Sequence, residues 1–226
     1  MHPFLIRAVL FDFDGVLVNS EPIRFQAGAK ALAEIGVPLT WEGFVKTWLG
    51  RTDEAALADI LGARFGADGK RVMERRNALY EARLDDVIPF PDAAQLVRRT
   101  PLDIRLGIAT GSRRVEVEGI LWRAVLTESF QTLVTVEDYG RAKPAQDPFL
   151  TAARLMKVPP ATCLVIEDSP AGVAAALAAG MPVVAVNRSR GDRALDGATW
   201  RVATLDQLSV TPGGEVVVQE IVQTRG

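Results

Sequence analysis

Two aspartates separated by one residue follow an apolar segment near the start of the chain. Asp12, Phe13, Asp14 and Gly15 come directly after the apolar residues Ala8–Phe11. Carboxylates two residues apart point to the same side if the chain stays extended. Such a pair beside a hydrophobic segment is costly unless a cation or a shared proton compensates it. The pair therefore predicts a site that binds a cation or handles protons, and Gly15 allows the backbone to turn away sharply.

A small polar segment, Thr110-Gly111-Ser112, follows the apolar segment from Ile104 to Ala109. Hydroxyl side chains and a glycine ahead of a helix can hold a phosphate through side-chain donors and free backbone amides. By itself, however, the tripeptide is more typical of an ordinary turn and helix N-cap. It predicts a phosphate site only if other catalytic groups lie beside it.

Lys143 and the pair Glu167-Asp168 are the remaining candidates for chemistry. A lysine ahead of a helix is usually a solvated charge, but Lys143 could also neutralise phosphate or keep an aspartate ionised. Glu167 and Asp168 follow the apolar segment Cys163–Ile166. Two acids there can complement a helix dipole or, together with the first aspartate pair, supply the hard oxygen ligands that Mg²⁺ prefers.

Five apolar segments are predicted to be strands of a parallel sheet, because buried parallel strands lack clean alternation. They are Ala8–Phe11, Ile104–Ala109, the weaker Gln131–Val136, Cys163–Ile166 and Val183–Val186. Helical patterns lie between them. In one of these, Ser169 is the expected N-cap and Gly180 the expected end. Strand and helix alternate from about residue 90 onward, which predicts an α/β fold: a Rossmann-like parallel sheet core with helices on both faces.

The interval from Ser20 to about Ile88 shows one helical pattern after another and no strand pattern. We interpret it as an inserted α-helical domain, residues 19–88, which interrupts an α/β core formed by residues 1–18 and 89–226. The C-terminal run Glu215–Val218 is compatible with an edge strand or with a tail.

The four polar clusters all lie where predicted strands end, and open parallel sheets bind ligands at that edge. Carboxylates for a hard cation, a lysine and donor-rich turns on one sheet edge are the components that phosphoryl transfer requires.

Composition excludes several other classes of function. The chain has 226 residues, is 48% hydrophobic and 24% charged, and carries a net charge of −2, which offers no basic surface for nucleic acid or anionic membranes. The single cysteine, Cys163, cannot form an internal disulfide, and no leader or membrane-spanning segment is recognisable, so a cytoplasmic location is expected. The single histidine, His2, excludes a Ser-His-Asp triad.

The ordered motifs resemble those of the haloacid dehalogenase superfamily. The segment from Asp12 to Glu21, with the sequence DFDGVLVNSE, is similar to the first motif, and Thr110, Lys143 and Glu167-Asp168 resemble the second, third and fourth. The sequence EDSPAGVAAALAAGM, which starts at Glu167, is especially similar to the subgroup of β-phosphoglucomutase-like sugar phosphatases. The resemblance covers nearly the whole chain, and the helical insertion matches the position of that subgroup's cap domain.

The resemblance implies roles for the matching positions. Asp12 would be the nucleophile that forms an aspartyl-phosphate. Asp14 would protonate the leaving oxygen and then activate water, and Lys143 would balance the charge of the phosphate and Asp12. Dehalogenases of this superfamily lack an aspartate two residues after the nucleophile, so Asp14 disfavours carbon–halogen cleavage.

The resemblance also implies the binding sites. Thr110 would bind the transferring phosphoryl group, helped by Gly111 and Ser112. The Mg²⁺ ligands would be Asp12, the backbone carbonyl of Asp14, and Asp168 with Glu167 beside it.

Substrate contacts are expected from the inserted domain. Gly50-Arg51-Thr52 resembles the substrate-specificity loop of the cap, which makes Arg51 the first candidate for the non-reacting end of the substrate. Arg24 is a second candidate, and it stands where β-phosphoglucomutase carries the histidine that assists proton transfer. For Arg75 and Arg76 a solvated helix face is the favoured interpretation, and Trp48 is expected in the domain core or facing the substrate. Asp92 replaces a frequent glycine of the subgroup and is expected to N-cap the next helix.

The function predicted from the sequence is a Mg²⁺-dependent phosphatase that hydrolyses a small phosphorylated metabolite, a sugar or polyol phosphate. The alternative within enzymes is a phosphosugar mutase, against which the absent histidine argues. A non-catalytic sensor of a phosphorylated ligand is disfavoured because all catalytic positions are retained. No nucleic-acid or membrane partner is expected. The oligomeric state is open, with a monomer favoured.

Overall fold

A computed structural model describes residues 5–48, 51–188 and 195–219. His2 and Gly50 lie outside the described residues. The chain divides into two compact units. The first, the α/β unit, comprises Met1–Val18 and Pro89–Gly226, and the second, the helical unit, comprises Asn19–Ile88.

The strands, in chain order, are β1 (Ala8–Phe11), β2 (Val18–Asn19), β3 (Ile88–Pro89), β4 (Arg105–Ala109), β5 (Thr132–Val134), β6 (Cys163–Glu167), β7 (Val183–Val186), β8 (Trp200–Val202), β9 (Leu208–Val210) and β10 (Val216–Val218). The α-helices are α1 (Glu21–Ala33), α2 (Trp41–Thr47), α3 (Asp53–Leu61), α4 (Phe65–Glu81), α5 (Pro91–Arg99), α6 (Arg114–Arg123), α7 (Asp147–Met156) and α8 (Pro170–Ala178). Short 3₁₀ helices span Gly62–Arg64, Leu84–Asp86, Thr127–Ser129, Val136–Asp138, Pro160–Thr162 and Leu205–Gln207.

The centre of the α/β unit is a six-stranded sheet in the order β5-β4-β1-β6-β7-β8, with every pairing parallel. The α/β fold class predicted from the sequence is confirmed, and the five predicted strand segments all lie in this sheet. Strand β8 was not predicted, because its residues Trp200 and Arg201 are partly or fully exposed and form no apolar run. The C-terminal strand β10 pairs antiparallel with β9, outside the main sheet.

The strand register aligns the carboxyl ends of the three central strands. Phe11, the last residue of β1, lies opposite Ile108 of β4 and Ile166 of β6. The next residue of each strand is therefore at the same edge of the sheet: Asp12, Ala109 and Glu167. Because all three strands are parallel and buried, their polar continuations meet where the hydrophobic core ends.

The crossovers account for helices on both faces of the sheet. The chain moves outward from β1 through β4 to β5 on one side, and through β6 and β7 to β8 on the other. Right-handed crossovers in opposite directions put their helices on opposite faces. Consistent with this, one core cluster joins buried residues of α7 and α8 to alternate residues of the strands: Ala8 and Leu10 of β1, and Cys163 and Val165 of β6.

The helical unit has a core of its own, formed by α1 to α4. Trp48 lies in that core and its indole Nε1 donates to Asp53 Oδ1 at 2.7 Å, so the core interpretation of Trp48 is confirmed. Arg75 forms a half-exposed ion pair with Glu34 at 2.9 Å. The expectation of a solvated Arg76 is wrong: its side chain is 1% exposed and pairs with Asp53 at 2.9 Å.

No helix in the described ranges combines the length and the apolar character that crossing a membrane requires.

Candidate active site

The loop after β1 places the first aspartate pair. The Asp12 amide donates to Ile166 O at 2.9 Å, which fixes the end of β1 against β6. The chain then bends, because the amides of Leu17 and Val18 both donate to Phe13 O. Asp14 is therefore not on an extended strand, and its carboxylate accepts a short hydrogen bond from the Ser112 hydroxyl.

Gly15 is required at the turn of this loop. Its φ is +81°, in the left-handed region that favours glycine. A Cβ at this position would also lie 2.2 Å from Asp168 Oδ2. The backbone at Gly15 thus passes directly beside the carboxylate of Asp168, which no other residue type would permit.

Lys143 joins the carboxylates of two strands. Its Nζ donates to Asp12 Oδ1 at 2.5 Å, to Glu167 Oε1 at 2.6 Å and to Ala109 O at 3.0 Å. The three contacts belong to the ends of β1, β6 and β4, and all three donor positions of the ammonium group are used. The side chain is only 12% exposed, so Lys143 is not the solvated surface charge that its sequence position commonly indicates.

Glu167 is fully buried and is held by the start of α8. Its Oε2 accepts from the Asp168 amide at 2.9 Å and from both the amide and the hydroxyl of Ser169 at 3.0 Å. Ser169 in turn N-caps α8 by accepting from the Gly172 amide, as its position predicted. A Cβ at Gly172 would lie 1.8 Å from the carboxyl carbon of Glu167, so that helix residue must be glycine for the carboxylate to fit.

The segment after β4 lies buried beside the same edge. The Thr110 amide donates to Val134 O at 2.9 Å, and the Ser112 amide donates to Thr110 Oγ1 at 3.0 Å. Tyr139 donates its hydroxyl to Thr110 O at 3.1 Å. Thr110 and Ser112 are buried, whereas Gly111 between them is exposed. The segment is thus a fixed polar turn next to Asp14 and Lys143.

Burial and the neighbouring charges together set the pKa values in this cluster. Burial raises the pKa of Asp12 from its usual 3.8 to about 7, with the charges of Glu167 and Asp14 adding to the effect and Lys143 opposing it. Burial by itself would lower the pKa of Lys143, but the carboxylates of Asp12 and Glu167 outweigh it and raise that pKa above its ordinary value. Lys143 is therefore a fixed positive charge, and Asp12 in the metal-free protein is a carboxylate that lacks sufficient compensating charge.

The carboxylates have the spacing and the chemistry of a divalent-cation site. Ligand oxygens of Asp12, Glu167 and Asp168 lie within 4.8 Å of one another. The single positive charge of Lys143 balances at most one of these three carboxylates. A hard divalent cation takes such oxygens as ligands. Its positive charge would compensate the excess negative charge around Asp12, so the residues present fit Mg²⁺. The Asp14 side chain is directed to Ser112.

The two arginines proposed for substrate contact both lie in the helical unit. Arg51 donates to Asp59 Oδ2 at 2.6 Å and to Thr47 O at 3.2 Å, and 38% of its side chain is exposed. The guanidinium of Arg24 lies 4.9 Å from the centre of the Tyr80 ring.

Three residues of this site were not predicted to belong to it: Tyr139, Ser169 and Gly172. Tyr139 is a partly buried tyrosine whose pKa is raised by burial to about 12, so its hydroxyl stays a donor to Thr110 O. Ser169 was predicted only as a helix cap. Gly172 inside a predicted helix, where glycine is unfavourable, was the one pattern that pointed to a close approach.

Comparison with known proteins identifies the family. The sequence model of the haloacid dehalogenase-like hydrolases matches residues 6–180. The chain belongs to this hydrolase family, and the resemblance in the sequence motifs is confirmed.

Several relatives share this similarity. The chain is 30% identical over 195 residues to β-phosphoglucomutase of Bacillus subtilis, covering 82% of this chain and 85% of the relative. It is 29% identical over 216 residues to hexitol phosphatase A of Escherichia coli, covering 94% and 99%. It is 34% identical over 200 residues to the chloroplastic protein SUPPRESSOR OF QUENCHING 1 of Arabidopsis thaliana, where the match covers 85% of this chain but spans only 19% of the relative's length.

Among solved structures, the HAD hydrolase of family IA, variant 3, from Entamoeba histolytica superimposes with a TM-score of 0.81 and 26% identity. The superposition covers 91% of this chain and 96% of that one.

Proposed function

We propose that this protein is a Mg²⁺-dependent phosphatase that hydrolyses a small phosphorylated metabolite, a sugar or polyol phosphate, through an aspartyl-phosphate intermediate. The observation that carries the proposal is the position of Lys143, which bridges Asp12 and Glu167 at the sheet edge beside Thr110 and Ser112. The similarity to hexitol phosphatase A over almost the full length of both chains supports the substrate class. We further propose a cytoplasmic location, which the buried free thiol of Cys163 suits.

In this mechanism Asp12 is the nucleophile. One of its carboxylate oxygens attacks phosphorus, and the phosphorus–oxygen bond to the metabolite breaks. Lys143 holds Asp12 in place and opposes the negative charge that builds up on the transferring group. Thr110 binds an oxygen of that group through its hydroxyl, helped by the Gly111 amide and by Ser112 beside it.

Asp14 is proposed as the general acid and base. It gives its proton to the oxygen of the departing metabolite and then takes a proton from the water that hydrolyses the aspartyl-phosphate. The hydrogen bond from the Ser112 hydroxyl holds this carboxyl group beside the Thr110–Ser112 turn. Asp14 thereby returns to its starting protonation state at the end of each cycle.

Mg²⁺ would be held by Asp12, Asp168 and the backbone carbonyl of Asp14, and it would supply positive charge that lowers the repulsion between the phosphate and the carboxylates. Glu167, placed among the metal ligands from the sequence, already accepts three hydrogen bonds on Oε2 and the Lys143 contact on Oε1. We therefore propose that its main contribution is to orient Lys143 and the Asp168 backbone.

The helical unit is proposed to act as a cap that excludes bulk water and selects the substrate. Arg51 and Arg24 are the proposed contacts to the non-reacting end of the substrate. The proposed hinges are the segments Val18–Ser20 and Ile88–Pro91, which include the two boundaries of the unit.

The test is release of inorganic phosphate from a panel of sugar, polyol and glycolytic monophosphates, with and without Mg²⁺. The wild type, Asp12→Asn and Asp14→Asn are compared, with Asp196→Asn as the control because its side chain is 70% exposed and lies in the same unit. We expect Mg²⁺-dependent release from one or a few substrates, loss of that release in both site variants, and wild-type rates in the control. Release that persists in Asp12→Asn would refute the nucleophile assignment.

A phosphosugar mutase is the second candidate, and the similarity to β-phosphoglucomutase of Bacillus subtilis supports it. A mutase returns the phosphoryl group to a bound sugar bisphosphate instead of to water. The same panel distinguishes the two functions: no phosphate release, together with isomerisation of a hexose phosphate once a hexose bisphosphate is added, would establish the mutase.

A further inference from the structure

Three segments of the α/β unit meet at Arg188, the second residue after β7. Its Nη2 donates to Asp92 Oδ1 at 2.8 Å and approaches Val16 O at 3.4 Å. Its guanidinium also lies 3.9 Å from the centre of the Phe90 ring, close enough for a stacked cation–π contact. Arg188 therefore contacts both the loop that leaves β1 and the segment that starts α5.

Asp92 is the anchor that holds Arg188. Besides the Arg188 contact, its Oδ1 accepts from the Ala93 amide at 2.8 Å. Its Oδ2 accepts from the Thr204 hydroxyl at 2.7 Å and the Leu205 amide at 2.8 Å. The expectation that Asp92 N-caps α5 is wrong, since Phe90 occupies that position. The carboxylate instead joins α5 to the end of β7 and to the segment after β8, contacts that a glycine at this position would lack.

The loop that Arg188 contacts is the loop that carries Asp14. The Phe90 amide donates to Leu17 O at 2.9 Å, and the Gly15 amide donates to Val18 O at 2.9 Å. Val16 is two residues and Leu17 three residues from Asp14 in this loop, so we expect a shift of either one to displace Asp14. Arg188 lies at the same carboxyl edge of the sheet as the candidate active site, since it follows the parallel strand β7.

We propose that Arg188 is a positioning residue: held by Asp92, it fixes Val16 and Phe90 and thereby the loop on which Asp14 lies. The expected change in kcat rests on the proposed phosphatase function, whereas the expected change in the loop does not. Within the described part of the chain, Arg188 forms no hydrogen bond or ion pair with the carboxylates of Asp12, Glu167 and Asp168 or with the Thr110–Ser112 turn, so its effect on the reaction is indirect. The ion pair is largely buried, with 15% of the Arg188 and 9% of the Asp92 side chain exposed. Removal of either partner therefore leaves the other as a buried charge without its counter-ion.

The test compares Arg188→Met, Asp92→Asn, the double variant and Arg188→Lys with the wild type. The control is Arg201→Met, which removes an exposed ion pair of 3.0 Å with Asp196 in the same unit. Hydrolysis of 4-nitrophenyl phosphate with Mg²⁺ gives kcat and KM, a thermal melt gives Tm, and hydrogen–deuterium exchange reports on residues 13–18.

We expect Arg188→Met to lower kcat by about tenfold to hundredfold, with little change in KM, because the acid–base group is displaced and not removed. The double variant should lose no more than Arg188→Met alone, because Asp92 acts on the loop through Arg188. Arg188→Lys should recover Tm by keeping the charge beside Asp92, but not kcat, because lysine has no planar group to stack on Phe90.

Exchange of the 13–18 amides should rise in Arg188→Met and stay at the wild-type level in Arg201→Met. Unchanged exchange in Arg188→Met would overturn the proposal whether or not the protein is a phosphatase. Kinetic losses of Arg188→Met and Asp92→Asn that multiply in the double variant would overturn it as well. Absence of hydrolysis by the wild type both in this assay and in the panel of metabolite monophosphates, with exchange raised in Arg188→Met, would refute the proposed activity and leave the positioning role standing.

Discussion

At the scale of single residues, the candidate site depends on two glycines as much as on its charged groups. Gly15 and Gly172 each lie against a carboxylate, Asp168 and Glu167 respectively, at distances that a Cβ would violate. The charged residues could be proposed from their types and order in the sequence. Which carboxylate each glycine approaches could not be proposed, because one approach joins parts of the chain more than a hundred residues apart and the other sets a helix residue against the end of a neighbouring strand.

Gly172→Ala tests this dependence. Alanine is normally better than glycine inside a helix, so the substitution should stabilise α8 if space were free. We expect the opposite, a loss of about 1–3 kcal/mol in the free energy of unfolding, because the new Cβ overlaps the Glu167 carboxylate. Urea denaturation measures it. The matched control is Gly66→Ala in α4, where nothing lies within 4 Å of the added Cβ, and equal stability of both variants would contradict the prediction.

The contacts of Asp92 predict a pH-dependent contribution to stability. Burial raises its pKa, but the hydrogen bonds from Arg188, Thr204 and the Leu205 amide outweigh this and hold the pKa below its ordinary value. A carboxyl group with a lowered folded-state pKa stabilises the fold above its unfolded pKa of about 4, and that stabilisation is lost as the pH falls through the folded value.

We therefore expect Asp92→Asn to be less stable than the wild type by about 1–3 kcal/mol at pH 7, with the difference shrinking below about pH 4. Urea denaturation of both proteins at pH 7, 5 and 3.5 measures the difference. A difference that stays constant over this range would show that the ionised form of Asp92 is not responsible.

At the scale of elements, the site is assembled by strand ends and by one helix start. The register of β1 with β4 and β6 sets Asp12, Ala109 and Glu167 side by side, and Lys143 joins them. Ser169 then begins α8 and fixes Glu167 with the same hydroxyl group. One capping residue therefore contributes both to helix stability and to the geometry of the carboxylates.

Ser169→Ala tests whether Ser169 supports the carboxylates in addition to capping α8. We expect it to cost about 1 kcal/mol of stability and to weaken Mg²⁺ binding, because Glu167 and Asp168 lose part of their support. Thr40→Ala is the matched control, since Thr40 caps α2 in the helical unit by accepting from the Gly43 amide at 3.1 Å. Urea denaturation and Mg²⁺ titration by calorimetry measure both effects. Wild-type Mg²⁺ affinity in Ser169→Ala would refute the link.

At the scale of the whole molecule, every carboxylate of the candidate metal site belongs to the α/β unit, while the helical unit has a separate core. Binding of an ion to one unit stabilises that unit by mass action, by about 2.7 kcal/mol at a hundredfold excess over its dissociation constant.

We expect Mg²⁺ to raise the melting temperature of the wild type and to leave that of Asp168→Asn almost unchanged. Hydrogen exchange should slow at residues 12–15 and 167–172 and stay the same in the interior of α1 and α4. Equal protection of both units on adding Mg²⁺ would contradict the assignment of the ion to the α/β unit.

The sequence by itself determined the fold class and predicted the charged residues of the candidate site. Buried parallel strands such as β1, β6 and β7 are continuous apolar runs, and that pattern is local. Strand β8 was not predicted, because an edge strand with exposed residues is not a continuous apolar run. The sequence left open whether Glu215–Val218 forms a strand or a tail. Strand β10 forms by pairing with β9, and the composition of the segment does not reveal that pairing.

Only the tertiary structure decided how the groups contact one another. It buried Lys143 between two carboxylates and Arg76 beside Asp53, although both positions are typical of solvated charges. It also turned Asp92 from an expected helix cap into the anchor of Arg188. Local sequence sets the helix or strand propensity of a segment. The burial and the partners of a charged side chain depend instead on residues brought together from distant parts of the chain, so no local pattern predicted these contacts.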